Sequence, residues 1–220
     1  MDLSTAEENY VKAIYHIQQA KGHVSTNAVA HQLKTKPASV TDMLKRLKVK
    51  KILQYEPYQD FRLNNEGKRI ALNVIRRHRL WEYFLVKKLG MRWDEVHAIA
   101  ELLEHVSDAR LIDRLDAFLE FPDTDPHGDP IPDVHGRMKV RPKVSVAALP
   151  LHTQAEVCGV GNQSTDMLEL LDRLHIRIGT RLEVRRRFEF DGSLELKIRN
   201  NPLFVISHAV AQNLFVSHEI

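Results

Sequence analysis

A chain of 220 residues can bury a substantial core and has room for one large or two small domains. Its 43% hydrophobic and 28% charged residues are those of an ordinary globular protein, and it holds no apolar run of the roughly eighteen residues that a membrane span needs. The acidic, polar start MDLSTAEENY is unlike a secretory signal, and the single cysteine, Cys158, excludes an internal disulfide, so a cytoplasmic protein with no membrane partner is expected.

The net charge of +3 conceals an asymmetry: residues 1–92 hold 18 Lys/Arg against 8 Asp/Glu, whereas residues 93–220 hold 14 against 21. A strongly basic first half points to a polyanionic partner. In chain order, Ala6, Tyr10, Ala13, Ile14 and Ile17 keep helical spacing from Thr5 to Ala20 behind a Ser4 or Thr5 cap. Ser25 caps a short helix to about Leu33, and after a turn at 34–36 a second helix starts with Pro37 and buries Val40, Leu44 and Leu47. Its polar face carries Lys36, Ser39, Thr41, Asp42, Lys45, Arg46 and Lys48, and residues 34–51 hold seven Lys/Arg against one acid. Short helix, tight turn and basic helix predict a helix-turn-helix, with Lys36, Ser39, Thr41 and Asp42 nearest base edges and Lys45, Arg46 and Lys48 nearest phosphates. Residues 52–63 switch to strand character around a turn near Gln59-Asp60, predicting the wing of a winged helix, where Tyr58 and Arg62 can reach sugar-phosphate.

A long helix is expected from Asn65 to Leu89, then helices over Trp93–Val106 and Asp108–Leu119 whose apolar strips can form a two-fold dimer face. On the first of these His78 and Glu82 lie one turn apart; on the second His97, Glu101, Glu104 and His105 fall at i, i+4, i+7 and i+8. Two facing stripes of imidazole and carboxylate would suit Mn(II), Fe(II), Co(II), Ni(II) or Zn(II), and no cysteine lies in them to favour a softer ion. The competing explanation is solvated helix faces and internal salt bridges. Asn9 lies beside the buried stripe of the first helix, so its amide can reach a metal placed there. Residues 121–150 hold six of the nine prolines and read as a connector; four strands and a helix over Thr165–Leu174 then predict a small β-barrel, with a hairpin turn at Asp191-Gly192.

The stretches SxxENYVKAIYHI, PASVTDMLKRL, YEPYQDFRLNNEGKRIA, RRHRLWEYFL, HAIAELLEHVSD and PHGDPIP resemble the diphtheria-toxin-repressor and manganese-transport-regulator family of bacterial metal-dependent repressors, from residue 4 to about 132. The carboxyl-terminal part more weakly resembles the SH3-like (FeoA-like) domain of its longer members. The resemblance implies a mainly α protein with small β elements: a winged helix-turn-helix over 1–72, a helical metal-binding and dimerisation domain over 73–135, a linker over 136–150 and the SH3-like domain over 151–220. It also implies a primary, DNA-activating site on Asn9, Glu101, Glu104 and His105, and an ancillary site on His78, Glu82 and His97 completed by Gln163 and Asp166. Iron-responsive members usually have Cys at Glu101 and Met at Asn9; manganese-responsive members have Glu at the first but carboxylates at Asn9 and Lys12. Glu101 therefore favours a harder ion, while Lys12 departs from the manganese-type two-ion cluster.

The expected function is a homodimeric repressor of metal-uptake genes that binds a palindromic double-stranded operator with Mn(II) or Fe(II) as co-repressor, with Zn(II), Co(II) or Ni(II) as substitutes. Two alternatives remain open here: a metal-independent winged-helix regulator of a small organic ligand, and a helical-bundle metalloenzyme, for which neither stripe supplies paired Glu-x-x-His spacing. No catalytic motif can be placed, and no enzyme activity is expected.

Overall fold

The computed structural model describes residues 3–54, 61–199 and 202–217. The chain forms two compact units, residues 1–78 with 101–114 and 132–137, and residues 79–100 with 115–131 and 138–220.

In the first unit, helix α1 (Thr5–Lys21) is started by Ser4 through a capping box: Ser4 Oγ accepts from the Glu7 amide and a Glu7 carboxylate oxygen accepts from the Ser4 amide at 2.8 Å. Gly22, left-handed at φ 74°, ends it. Helix α2 (Thr26–Gln32) is capped by Ser25, and α3 (Pro37–Val49) begins with proline in its first turn, where no amide hydrogen is needed. Strands β1 (Leu53–Gln54) and β2 (Arg62–Leu63) pair antiparallel, Leu53 with Leu63 and Gln54 with Arg62. Residues 55–60, and with them Tyr58 and the expected turn near Gln59-Asp60, lie outside the described residues. Helix α4 (Asn65–Lys87) then starts where Asn64 Oδ1 accepts from the Gly67 amide at 3.0 Å. Val11, Ile14 and Ile17 of α1, Val40, Leu44 and Leu47 of α3, and Phe61, Leu63, Ala71 and Ile75 close one core. The polar face of α3 is left outward: Lys36, Ser39, Asp42, Lys45, Arg46 and Lys48 are exposed, as is Arg62 on the wing, and Thr41 is half-buried with its hydroxyl donating to the Pro37 carbonyl at 3.1 Å.

Helix α5 spans Val96–Leu103, shorter at both ends than the Trp93–Val106 that spacing predicts, and α6 spans Ala109–Phe118. At the front, Trp93 is drawn into the core of the second unit, and Arg92 and Asp94 pair at 2.9 Å before the helix starts. At the back, Arg77 Nε takes the carbonyl of Glu104, so Glu104 and His105 sit on the turn that follows the helix.

The second unit contains a six-stranded antiparallel sheet in the order β3-β8-β4-β5-β6-β7, formed by β3 (Val144–Ser145), β4 (Gln154–Val160), β5 (Arg181–Arg187), β6 (Leu194–Ile198), β7 (Phe204–Ile206) and β8 (Leu214–Ser217). Register shifts at Val157/Gly159 and Val184/Arg186 bend the sheet around a core that includes Leu168 and Leu171 of helix α7 (Thr165–Arg173). Two departures from the sequence reading occur here. Strand β3 lies inside the expected proline-rich connector, where a free stretch between Pro142 and Pro150 suffices for the pairings Val144–Val216 and Ser145–Phe215. The final helix α8 (His208–Asn213) and β8 are also additional; α8 is too short for a periodic signal and owes its start to the Ser207 cap.

Leu44 is fully buried in the core beneath α3. Leu44→Ala should cost about 2–5 kcal/mol, seen as a lower urea midpoint with an unchanged slope.

Candidate metal centre

Among the clusters of titratable side chains, two fall within single units, one in each. In the first, α1 contributes Glu8 and Lys12, α4 contributes Arg77 and His78, and the turn after α5 contributes Glu104 and His105. Glu104 is fully buried. Lys12 Nζ donates to both its carboxylate oxygens at 2.7 and 2.9 Å, and His78 Nδ1 lies 2.6 Å from one of them. Burial alone would raise the Glu104 pKa, but the His78 hydrogen bond and the Lys12 charge outweigh it and hold the carboxyl below the usual range. Glu8 accepts from Arg77 Nη2 and lies against His105 Nδ1, both at 2.6 Å. The turn at Leu103 splits the predicted four-residue stripe: Glu101 stays on the exposed side of α5, while Glu104 and His105 turn inward. The residue of α1 that meets His105 is thus Glu8, with half-buried Asn9 at the next position. Periodicity did not single out Glu8 because it flanks the apolar stripe like any solvated helix carboxylate.

The second cluster gathers one donor atom each from Glu82, Asp125 and His127 within 4.8 Å of one another, all three residues buried. His97 Nδ1 adds to its edge, 3.2 Å from Glu82 Oε1. The DPHGD turn builds this site locally: Asp125 Oδ1 accepts from the amides of His127 at 2.8 Å and Asp129 at 3.0 Å, and Gly128 adopts φ 87°. A Cβ on Gly128 would run into the Cys158 carbonyl, so glycine is required there. His127 Nε2 lies 2.8 Å from the Trp93 carbonyl and must donate to it. In the neutral ring that leaves Nδ1 as the lone-pair nitrogen, 3.8 Å from Glu82 Oε2. Arg79 is the nearby counter-charge, 3.5 Å from both Asp125 and Asp129. Gln163 reaches this rim by donating to Asp129 at 3.0 Å, whereas Asp166 is exposed in the first turn of α7.

The electrostatics mark this second site as short of positive charge. Complete burial, together with the charges of Glu82 and Asp129, pushes the Asp125 pKa up to about 7 against the pull of Arg79. Burial opposes protonation of His127, but Glu82 and Asp125 override it and raise its pKa. The Nδ1 of neutral His127 and two buried carboxylate oxygens, with no thiol among them, form a donor set that fits a divalent transition ion, which would displace the proton that the carboxylates favour there. Asp125 and His127 were not distinguishable by spacing, because they lie in the proline-rich stretch; only the D-x-H alternation, common in turns, marks them.

A winged helix with an outward basic helix, joined to helices carrying a buried imidazole–carboxylate centre, defines the class of metal-responsive DNA-binding regulators. Comparison with known proteins agrees. Residues 2–60 match the N-terminal DNA binding domain of the iron dependent repressors, residues 64–133 their metal binding and dimerisation domain, and residues 144–218 the FeoA domain. The chain belongs to this family of metal-dependent repressors. It is 34% identical over 108 residues to the HTH-type transcriptional regulator MntR of Oceanobacillus iheyensis, covering 49% of this chain and 73% of that one. It is also 32% identical over 131 residues to the iron-dependent repressor IdeR of Mycobacterium leprae, covering 60% and 57%. A manganese-dependent transcriptional repressor solved in complex with manganese superposes with a TM-score of 0.85 at 33% identity, covering 96% of this chain and 98% of that one. No helix among the described residues is long and apolar enough to cross a membrane.

Metal binding at Asp125 requires its deprotonated form. Because the metal-free pKa is raised to about 7, Mn(II) should bind more tightly as pH rises through 7, and should release a proton below it. Calorimetric titration in buffers of different ionisation enthalpy checks the release. The sign for stability is opposite: folding of the metal-free protein favours protonated Asp125, so this contribution is full below about pH 4 and is lost as pH rises through 7.

Proposed function

We propose that this protein is a homodimeric repressor whose affinity for a palindromic operator is switched on by Mn(II) or Fe(II). The observation that carries the reading is His127: its Nε2 hydrogen is committed to the Trp93 carbonyl, so Nδ1 is the ring nitrogen left to act beside Glu82 and Asp125 as a ligand. Glu82, Asp125 and His127 would hold the ion, with His97 at the edge, and the ion would supply the positive charge that Asp125 lacks. Glu101, Glu104, His105 and Asn9 form a second candidate locus beside α1. His78, Glu82 and His97, grouped by the sequence reading, offer a further set of donor atoms that shares Glu82, and His78 also lies 2.6 Å from Glu104. Oxygen and imidazole donors favour Mn(II) or Fe(II) over a soft ion, while Zn(II), Co(II) and Ni(II) will substitute in vitro by their greater intrinsic affinity. The family of repressors argues against the enzyme reading.

A modest preference suffices for the switch: a ~100-fold tighter hold on the DNA-competent arrangement shifts the equilibrium by about 2.7 kcal/mol. In that arrangement the exposed face of α3 would lie in the major groove, with Lys45, Arg46 and Lys48 on phosphates and Arg62 of the wing beside them. Two such heads related by a dimer axis read a palindrome.

Selection from a random duplex pool tests the whole reading. A palindrome enriched with Mn(II) and not with chelator is expected; equal enrichment in both would instead favour the metal-independent regulator. His127→Ala should remove the metal response and leave a folded dimer. Arg46→Ala should weaken binding to every sequence and lower the slope of log affinity against log salt by about one, measured by fluorescence anisotropy across a salt series.

A further inference from the structure

The two clusters differ in charge balance, and the difference falls on one residue. Around Glu104 the carboxylates of Glu8 and Glu104 are matched by the ammonium of Lys12 and the guanidinium of Arg77 before any ion arrives. Around Asp125 the carboxylates of Asp125 and Asp129 share the one guanidinium of Arg79. Lys12 holds Glu104 as a chelated cation would be held, with Nζ bridging both oxygens of a carboxylate wholly out of water. Its own side chain is only 15% exposed, so the pair is little screened. It also performs the mechanical task that a metal would perform there, tying α1 to the turn after α5. A divalent ion could take both Glu104 oxygens only by expelling that ammonium and leaving it without its counter-charge.

We infer that Lys12 is the resident cation of the α1 locus: it anchors α1 without metal, and restricts each protomer to a single tightly bound divalent ion, on the donors gathered around Glu82. This rests on the metal-dependent reading above, and names Lys12 as the residue that sets the metal stoichiometry and the metal-free anchoring of the reading head.

The test is a count. The full-length protein is titrated with Mn(II), and free ion is read from its six-line paramagnetic resonance signal, for the native chain, Lys12→Glu and Lys12→Met. The native protein should take up about one tight ion per protomer and Lys12→Glu about two, since a carboxylate there replaces a satisfied pair by an acidic pocket. Lys12→Met keeps the length of the side chain and removes the charge; it should lower the metal-free melting temperature, because Glu104 loses its counter-ion. An equal count in the native protein and Lys12→Glu overturns the inference, as does a metal-free melting temperature that Lys12→Met leaves unchanged. Two tight ions in a native protein that still binds DNA only with Mn(II) would overturn the inference while the proposed function stands. No ion in any of the three would overturn both.

Discussion

Carboxylates taken out of water need positive charge, and among those this protein buries are Glu82, Glu104 and Asp125. An ionised carboxylate in that setting is costly unless it is paired, hydrogen-bonded or bound to a cation. Glu104 is answered from within the chain, by Lys12 and His78. Asp125 is answered incompletely, and its raised pKa is the measure of the shortfall. A site whose shortfall either a proton or a bound cation would fill is one whose stability would depend on what the surroundings provide.

The surrounding structure serves to hold that shortfall in place. The DPHGD turn spends two backbone amides on one oxygen of Asp125 and turns sharply at Gly128, and the amide of Val160 on β4 donates to the His127 carbonyl at 3.0 Å. The Trp93 carbonyl fixes the imidazole tautomer, and the Trp93 ring stacks on the His127 ring with centroids 5.9 Å apart. The side chain that faces the carboxylates therefore has little freedom left, the usual condition for a centre that discriminates between ions. The sheet of the second unit contributes by packing against this turn, a role distinct from supplying ligands through Gln163 and Asp166.

In the first unit the same physics produces the DNA-binding head. Its apolar interior fixes α1, α2 and α3 to one another, and the outward face of α3 is left to carry charge that the interior could not accommodate. Helix α1 is the element both tasks share: Val11, Ile14 and Ile17 pack in the core of the head, while Glu8 and Lys12 on its other side enter the charge network with Arg77, Glu104 and His105. Whatever holds that network holds α1, and through its apolar face the orientation of α3.

Much of this was legible along the chain. The caps at Ser4 and Ser25, Pro37 in the first turn of α3, the apolar spacing of α1 and α3 and the basic bias of residues 34–51 are local signals, and a winged helix with a charged outer face follows from them. The stripes of His and Glu identified the helices on which a metal centre would be built. Which of those residues turn inward was not legible. The end of α5 at Leu103 depends on Arg77 capturing a carbonyl 27 positions away, and the pairing of Lys12 with Glu104 spans 92 positions. Asp125 and His127 were hidden because a turn has no periodicity to betray what it faces. The sequence by itself determined the elements, their polar and apolar faces and the chemistry available; the tertiary structure alone decided which charges meet, because the energy of a buried charge is set by neighbours brought in from distant parts of the chain.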